Sequence, residues 1–192
     1  MATSLVSTGV QFPDSTIQTT AAGAGGAWVF LSTVTATGAS TADIESTFDS
    51  TYDTYCIIAN DVSLSSGSIL NARLKIGGTY ETSNYAFATN VTSGSSYSGS
   101  TSASASSIEI ATNINKAFSA ANVFFTMTVY SPTLSLRKIV TWSGAHGSNA
   151  EGHTASGVAQ QSTQNTLTGV RFLSVSGGTI TGTFRLYGIK NS

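Results

Sequence analysis

The sequence predicts an all-β protein, an antiparallel β-sandwich of jelly-roll-like type that is preceded by an extended N-terminal arm. Short runs of β-branched and aromatic residues recur along the chain, and Gly- and Ser-rich turns separate them. No segment has the length and periodicity of a crossover helix, so parallel strands would lack their usual connections. The 192 residues are enough for one domain with a sizeable core.

The composition excludes several classes of partner. Charged residues make up 9% of the chain and the formal net charge is -1. The eight Lys and Arg residues are scattered, so the basic stripe that nucleic-acid binding requires is not expected. The first ten residues do not resemble a signal peptide, and no apolar run reaches membrane-spanning length, so no membrane insertion is expected. Lys residues on edge strands prevent uncontrolled strand pairing, and this chain has few of them. We therefore expect neighbouring subunits to cover the sheet edges and faces.

Residues 1–26 differ in composition from residues 27–192 and are interpreted as an attachment arm followed by a β-sandwich domain. The arm has few bulky apolar residues and ends in a Gly/Ala hinge at 22–26. Within it, a Pro-Asp-Ser sequence at 13–15 predicts a turn between two short β-prone pieces. From composition alone, a disordered tail is the simpler interpretation.

From Trp28 onward the chain alternates predicted strands and turns. The expected strands are 28–35, 52–64, 69–76, 85–89, 107–112, 121–130, 136–143 and 154–161, followed by two strands within 167–189 on either side of a turn at 176–178. The crossing at 38–50 is expected to contain one helical turn around residues 44–48. The serine-rich stretch 93–107 and residues 144–152 are expected to be loops. The most apolar strand, 121–130, is expected at the centre of a sheet, and 154–161 at an edge.

Two β-hairpins are predicted. The first joins 52–64 to 69–76. The second spans 167–189 and turns at Ser176-Gly177-Gly178, where glycine permits a tight turn. In the second hairpin, one face should be apolar and the other polar. The apolar face should contain Val170, Phe172, Ile180, Phe184 and Leu186, and the polar face Arg171, Thr181, Thr183, Arg185 and Tyr187.

The sequence predicts neither an enzyme nor a bound cofactor or metal. Cys56 is the single cysteine, in an apolar strand, and is expected to be buried and unreactive. His146, Glu151 and His153 lie close together in sequence but lack the spacing of a zinc motif, so a solvated loop is the preferred interpretation. No GxSxG occurs, and no pair of carboxylates is predicted to converge as a glycosidase requires.

Binding through loops remains open. Tyr80, Tyr85, Tyr97 and Asn149 lie in or beside predicted loops, where aromatic rings and amides could contact a host surface glycan or protein. Packing within the loops is the alternative for the tyrosines. Trp142 follows a strand and fits the core at least as well.

The segment GVQFPDSTIQTTAA at 9–22 resembles the G-x-x-F-x-D-x-T-x-Q-T element of tail-fibre and other virion proteins of tailed bacteriophages. The remainder resembles the terminal β-sandwich of the same class at 52–62, at 77–87 and in the ending GTFRLYGI at 182–189. Ser15 departs from this pattern, since Gly is more usual there, and the chain has one copy of the element and no shaft repeats.

This resemblance implies a non-enzymatic virion protein, usually a homotrimer, that joins another virion protein through its arm. The arm residues that match the element or flank its match are Phe12, Pro13, Asp14, Ile17 and Gln18. A short tail fibre or fibre tip that binds the host surface is the first function implied. A capsid decoration protein that stabilises the head is the alternative, and a free lectin-like module is a third possibility.

Overall fold

A computed structural model describes residues 27–45, 48–67, 69–93, 96–111, 123–147 and 152–190, together with three short strands nearer the N-terminus. Every strand pair is antiparallel, and the described residues contain no helix. The strands are β1 Ser4–Val6, β2 Gly9–Gln11, β3 Ile17–Gln18, β4 Trp28–Ala39, β5 Thr41–Glu45, β6 Thr54–Leu64, β7 Leu70–Ile76, β8 Thr79–Tyr80, β9 Tyr85–Ser93, β10 Ser96–Ala105, β11 Ile108–Ala111, β12 Val123–Tyr130, β13 Lys138–Gly147, β14 Gly152–Gln161, β15 Leu167–Leu173 and β16 Ile180–Ile189. The predicted β-sandwich class is confirmed.

Two sheets form the sandwich. The larger has eight strands in the order β10-β9-β14-β13-β12-β6-β16-β4, and the smaller has the order β11-β7-β15-β5 with β8 paired to β7. Their inner faces share one apolar core. At its centre Phe172 of β15 stacks on Phe184 of β16, with ring centroids 4.7 Å apart, and Phe125 of β12 lies 5.4 Å from Phe172.

Alternation of apolar and polar residues fixes which side of each strand is buried. In β12, Val123, Phe125, Met127 and Val129 are buried, whereas the residues between them are partly or largely exposed. This strand lies between β13 and β6, inside the larger sheet, which confirms the predicted central position.

The two predicted hairpins are wrong. β6 and β7 belong to different sheets, and so do β15 and β16, so each connection crosses from one sheet to the other. The two crossings lie side by side, because the Ser65 N–H donates to the Thr179 carbonyl and the Thr179 N–H donates to Ser65 Oγ, both at 2.7 Å. Gly178 fits against this neighbour because a Cβ there would lie 2.1 Å from the Ser66 carbonyl oxygen.

Phe172 and Phe184 are nevertheless both buried, as the predicted alternation requires. They meet across the core rather than along one face of a hairpin.

Several local predictions also need correction. The expected helical turn after residue 43 is replaced in its first residues by β5, because Ala42 and Ile44 alternate into the core as strand residues. Most of the serine-rich stretch is not a loop but β10, which pairs with β9 at the edge of the larger sheet. The predicted edge strand is β14, which lies between β13 and β9, and the expected loop after Ser143 begins as part of β13.

In the N-terminal segment, β1, β2 and β3 form a separate three-stranded sheet. Gln11 pairs with Ile17 and Val10 with Gln18, so the two β-prone pieces are paired as a turn between them requires. Phe12, Pro13 and Asp14 lie outside the described residues.

Candidate interaction surfaces

The two sheets divide the charged side chains unequally. The strands of the smaller sheet carry Asp43, Glu45, Arg73, Lys75, Glu109 and Arg171. The much larger eight-stranded sheet carries Asp61, Lys138 and Arg185, and Lys138 is buried. The outer face of the larger sheet is therefore nearly uncharged, whereas the outer face of the smaller sheet is a typical hydrated surface.

A charged cluster on the smaller sheet is formed by Asp43, Glu45, Lys75, Tyr80 and Arg171. Arg171 makes a bidentate pair with Asp43, with Nε to Oδ1 at 2.8 Å and Nη2 to Oδ2 at 2.6 Å. Its guanidinium lies 3.8 Å from the centre of the Tyr80 ring, a cation–π distance. The Tyr80 hydroxyl donates to Glu45 at 2.7 Å, and Lys75 bonds the same carboxylate oxygen at 3.0 Å. These polar groups satisfy one another.

Gly169 makes part of this cluster possible. On β15 it pairs with Glu45 on one side and Lys75 on the other, so those two side chains must reach each other across its position. A Cβ at Gly169 would lie 2.9 Å from the Ile44 carbonyl oxygen and 3.3 Å from Lys75 Cβ. A side chain there would therefore crowd both flanking strands.

The electrostatics of the cluster do not suit acid catalysis. The hydrogen bond from Tyr80, and after it the bond from Lys75, lowers the pKa of Glu45. A glycosidase acid needs the opposite shift, because it must stay protonated near neutral pH. The hydrogen bonds to Asp43 raise the pKa of Arg171, which keeps the ion pair charged. The cluster stabilises the sheet and is a poor candidate for an active site.

Two other chemical candidates also lose support. His146 and His153 are directly opposite on β13 and β14, both buried, with rings stacked 4.6 Å apart at an interplanar angle of 5°. The expected solvated loop is therefore wrong for these two side chains, whereas Glu151 lies outside the described residues. The in-plane lone pairs of parallel rings do not converge on one ion, and no group of three potential metal ligands occurs among the residues that are described. Cys56 is buried as predicted, and desolvation raises the pKa of its thiol to about 11.

The outer face of the larger sheet carries most of the exposed large apolar side chains. They are Trp28 and Phe30 on β4, Phe124 and Tyr130 on β12, Ile139 on β13 and Val158 on β14. Leu134 and Leu136, in the turn between β12 and β13, are also exposed. An exposed apolar surface of this extent is typical of an interaction site.

The same face has two hollows. One, of about 330 Å³, is lined mainly by Ala86, Ala88, Ser102, Ile139 and Val158. The second, of about 340 Å³, lies between β6, β12 and β13 beside Phe124 and Gly144. Neither contains a charged lining residue. Both can therefore accept apolar or neutral polar groups without removing an ion from water.

Tyr97 lies at the opposite end of this face from Trp28 and has an exposed side chain, 70% accessible. Its hydroxyl donates to Asn90 Oδ1, and in the same cross-strand row Thr92 and Thr154 are hydrogen-bonded through their hydroxyls. A ring bordered by an amide and hydroxyls can stack on and hydrogen-bond a neutral sugar. Among the sequence-predicted contacts, Tyr97 has the most favourable surroundings.

The structure places the other predicted contact residues in different surroundings. Tyr85 is fully buried: its hydroxyl accepts from the Leu74 N–H at 2.8 Å and donates to the Glu81 carbonyl. It is a core residue, so its predicted role as a partner contact is wrong. Tyr80 is partly buried within the charged cluster and retains an exposed portion. Asn149 lies outside the described residues.

Trp142 belongs to the core, where its Nε1–H donates to the Ile110 carbonyl at 2.9 Å. Sequence reasoning did not identify Trp28, Phe30, Ile139 or Val158 as surface residues. The alternation of residues within each strand divides them between two faces. It shows which residues are exposed only when it is known which face of the sheet lies outward.

The described residues include no helix that is long and apolar enough to cross a membrane. Comparison with known proteins identifies no relative: no protein-family model, no curated protein and no solved structure matches the chain.

Proposed function

We propose that the protein is a non-enzymatic structural component of a tailed-bacteriophage virion, a homotrimeric short tail fibre or fibre tip that contacts the host surface. The observation that carries the assembly part is the nearly uncharged outer face of the eight-stranded sheet, with its exposed aromatic and aliphatic side chains. Such a face is stable in water when another protein surface covers it. The assignment to a phage virion is supported by the sequence resemblance at 9–22 and in the sandwich.

Host contact is assigned to the end of the larger sheet around Tyr97. The Tyr97 ring is exposed, and Asn90, Thr92 and Thr154 provide neutral hydrogen-bonding groups beside it. A neutral glycan is the ligand class that this chemistry favours, because the described groups beside the ring are an amide and hydroxyls.

Attachment to the particle is assigned to residues 1–26. Ile17 and Gln18 form β3 in the small N-terminal sheet, whose strands do not extend either sheet of the sandwich. A segment with its own pairing can engage another virion protein without unfolding the domain. Deletion of residues 1–26 should therefore leave a folded oligomer that no longer joins virions, as assayed by circular dichroism, light scattering and virion purification. Normal incorporation would contradict the anchoring role.

The deciding experiment is immunogold labelling of purified virions with antibody to this chain. Label at the tail end would support the proposal, whereas label over the head would replace it with capsid decoration. Absence from all particles would reject a virion role.

The host-contact assignment has its own test. Tyr97→Ala should lose binding on a glycan array while its melting temperature stays unchanged, and Tyr97→Phe, which keeps the ring, should retain part of that binding. Wild-type binding by Tyr97→Ala would remove Tyr97 from the site.

A further inference from the structure

An aromatic knob projects from one edge of the larger sheet. It consists of Trp28 and Phe30 on β4, which are 48% and 56% exposed, and Tyr187 on β16. The Tyr187 ring contacts both others edge-on, with centroids 6.0 Å from Trp28 and 5.8 Å from Phe30. Because the three rings support one another, the knob is held in a defined shape while much of its apolar surface faces outward.

The apolar hollow lies on the same face near the opposite edge. It is the 330 Å³ depression whose lining includes Ala86, Ala88, Ser102, Ile139 and Val158. Small alanine side chains on β9 leave this space open. The hollow is an open depression of about 330 Å³, so aromatic side chains can enter it from the face of the sheet.

Knob and hollow occupy the same two cross-strand rows. The row of Trp28 continues through Ile189, Thr54, Tyr130, Ile139 and Gln160 to Ala86. The row of Phe30 continues through Tyr187, Cys56, Thr128, Thr141 and Val158 to Ala88. The knob and the hollow therefore lie at the same height along the strand direction. Across the strands they are far apart, because five strand spacings, about 24 Å, separate β4 from β14. A copy cannot fill its own hollow.

We propose that the copies associate head to tail, with Trp28 and Phe30 of one copy inserted into the hollow of the next. A head-to-tail contact closes into a ring when successive copies are rotated without translation along the ring axis. The level positions of knob and hollow remove the translation along the strands, so a ring axis parallel to the strands allows the contact to close. This inference specifies the self-association within the proposed function and is independent of the assignment to a virion.

The size of the face limits this contact, and its charge suits it. Eight strands and about eight residues along each give a face of roughly 34 by 26 Å, or about 900 Å². A ring member would divide at most this area between two contacts, about 450 Å² each, which is at the small end of specific interfaces, where about 800 Å² per partner is standard. Identical copies would meet without like-charge repulsion, because the charged residues exposed at this face, Asp61 and Arg185, have opposite signs.

The sheet edges give a second reason for the same arrangement. β4 and β10 are the edge strands of the larger sheet, ten or more residues long, and neither contains a Lys, a Pro or any charged residue. Unguarded edges of that length are prone to uncontrolled pairing unless they are covered. A head-to-tail contact brings the β4 side of one copy to the part of β10 beside the hollow of the next. It covers those parts of both edges and leaves the Tyr97 end of β10 exposed.

Complementation between two variants tests the proposal with the purified full-length chain. Trp28→Ala/Phe30→Ala removes the knob and keeps the hollow, whereas Val158→Lys places a cation in the hollow and keeps the knob. Val175→Lys is the matched control, because Val175 is 50% exposed, close to the 46% of Val158, and lies in the connection between β15 and β16. Mass is read by light scattering coupled to size exclusion at micromolar concentration, and folding by circular dichroism.

Wild type and Val175→Lys should be closed oligomers, and each interface variant alone should have the 19.7 kDa mass of one chain. Mixed, the two interface variants should form a one-to-one complex, since the pair contains one intact knob and one intact hollow. If either variant is unfolded, Phe30→Lys and Ala88→Lys replace it in the same scheme.

A monomeric wild type, interface variants that keep the wild-type mass, or folded variants that do not associate when mixed would each overturn the inference. None of these results depends on where the protein sits on a particle, so they are distinguishable from a failure of the virion assignment.

Discussion

Phe124 and Phe125 are neighbours in β12 that point to opposite sides of the larger sheet, and this makes them a matched pair for testing which side is the core. Phe125 is 4% exposed and contacts Phe172 and Phe184 at centroid distances of 5.4 and 6.4 Å. Phe124 is 46% exposed on the outer face. Phe125→Ala should leave a cavity between the sheets, whereas Phe124→Ala should remove a ring that is already half in water.

The two changes should differ clearly in cost. A buried Phe→Ala substitution typically costs about 3 to 5 kcal/mol in free energy of unfolding. Full burial of Phe is worth about 1.5 to 3 kcal/mol, so the half-buried Phe124 should cost about 1 kcal/mol. With a urea dependence of about 2 kcal/mol per molar, the midpoint should shift by about 1.5 to 2.5 M for Phe125→Ala and by about 0.5 M for Phe124→Ala.

Urea unfolding followed by circular dichroism measures both midpoints. The experiment should be repeated at two protein concentrations, because the stability of an oligomer depends on concentration. Equal shifts, or a larger shift for Phe124→Ala, would refute the assignment of inner and outer faces on which both proposed surfaces depend.

Two further predictions concern the thiol and the charged cluster. Because burial raises the pKa of the Cys56 thiol to about 11, the folded state favours the protonated thiol, and the free energy of unfolding should fall as pH rises from about 9 through 11. Cys56→Ala should weaken this pH dependence in thermal melts recorded across that range. An unchanged slope of melting temperature against pH would contradict the prediction. Arg171→Ala loses the ion pair with Asp43 and the contact with the Tyr80 ring, so it should lower the free energy of unfolding by roughly 1 to 2 kcal/mol. The control Arg73→Ala should lower it by less than about 0.5 kcal/mol. Equal losses in urea unfolding would show that the cluster contributes little to stability.

The existence of most strands could be predicted from the sequence, but their partners could not. Leu167–Leu173 and Ile180–Ile189 alternate in the same way whether they pair in a hairpin or face each other across a core. The glycines at 177 and 178 permit either connection. What distinguishes the two is the contact between the crossings at Ser65 and Thr179, a pairing of residues 114 positions apart. Local sequence contains no signal for a contact at that separation.

The loop predicted from the serine-rich composition is wrong because strand pairing, not composition, determines the structure there. Ser96–Ala105 has almost no bulky residues, and its strand conformation depends on its partner β9. β-propensity describes how well side chains pack on a pleated surface, and small residues can occupy an edge strand when the neighbouring strand supplies the hydrogen bonds. Tyr85 follows polar residues at the start of a predicted strand, so sequence alone does not show that this first residue of β9 is buried.

The low overall charge acquires a structural meaning once the sheets are known. Were the few charged residues spread evenly, each sheet face would be weakly hydrated in the same way. Instead, Asp43, Glu45, Lys75 and Arg171 concentrate on the smaller sheet, where they pair across three strands. The larger sheet is left with hydroxyls, exposed rings and two uncharged hollows. A free monomer of this kind would expose its largest apolar surface and both unguarded edges to other molecules. The proposed self-association would cover parts of both, so the oligomeric state is the property of this protein that most directly tests the proposal.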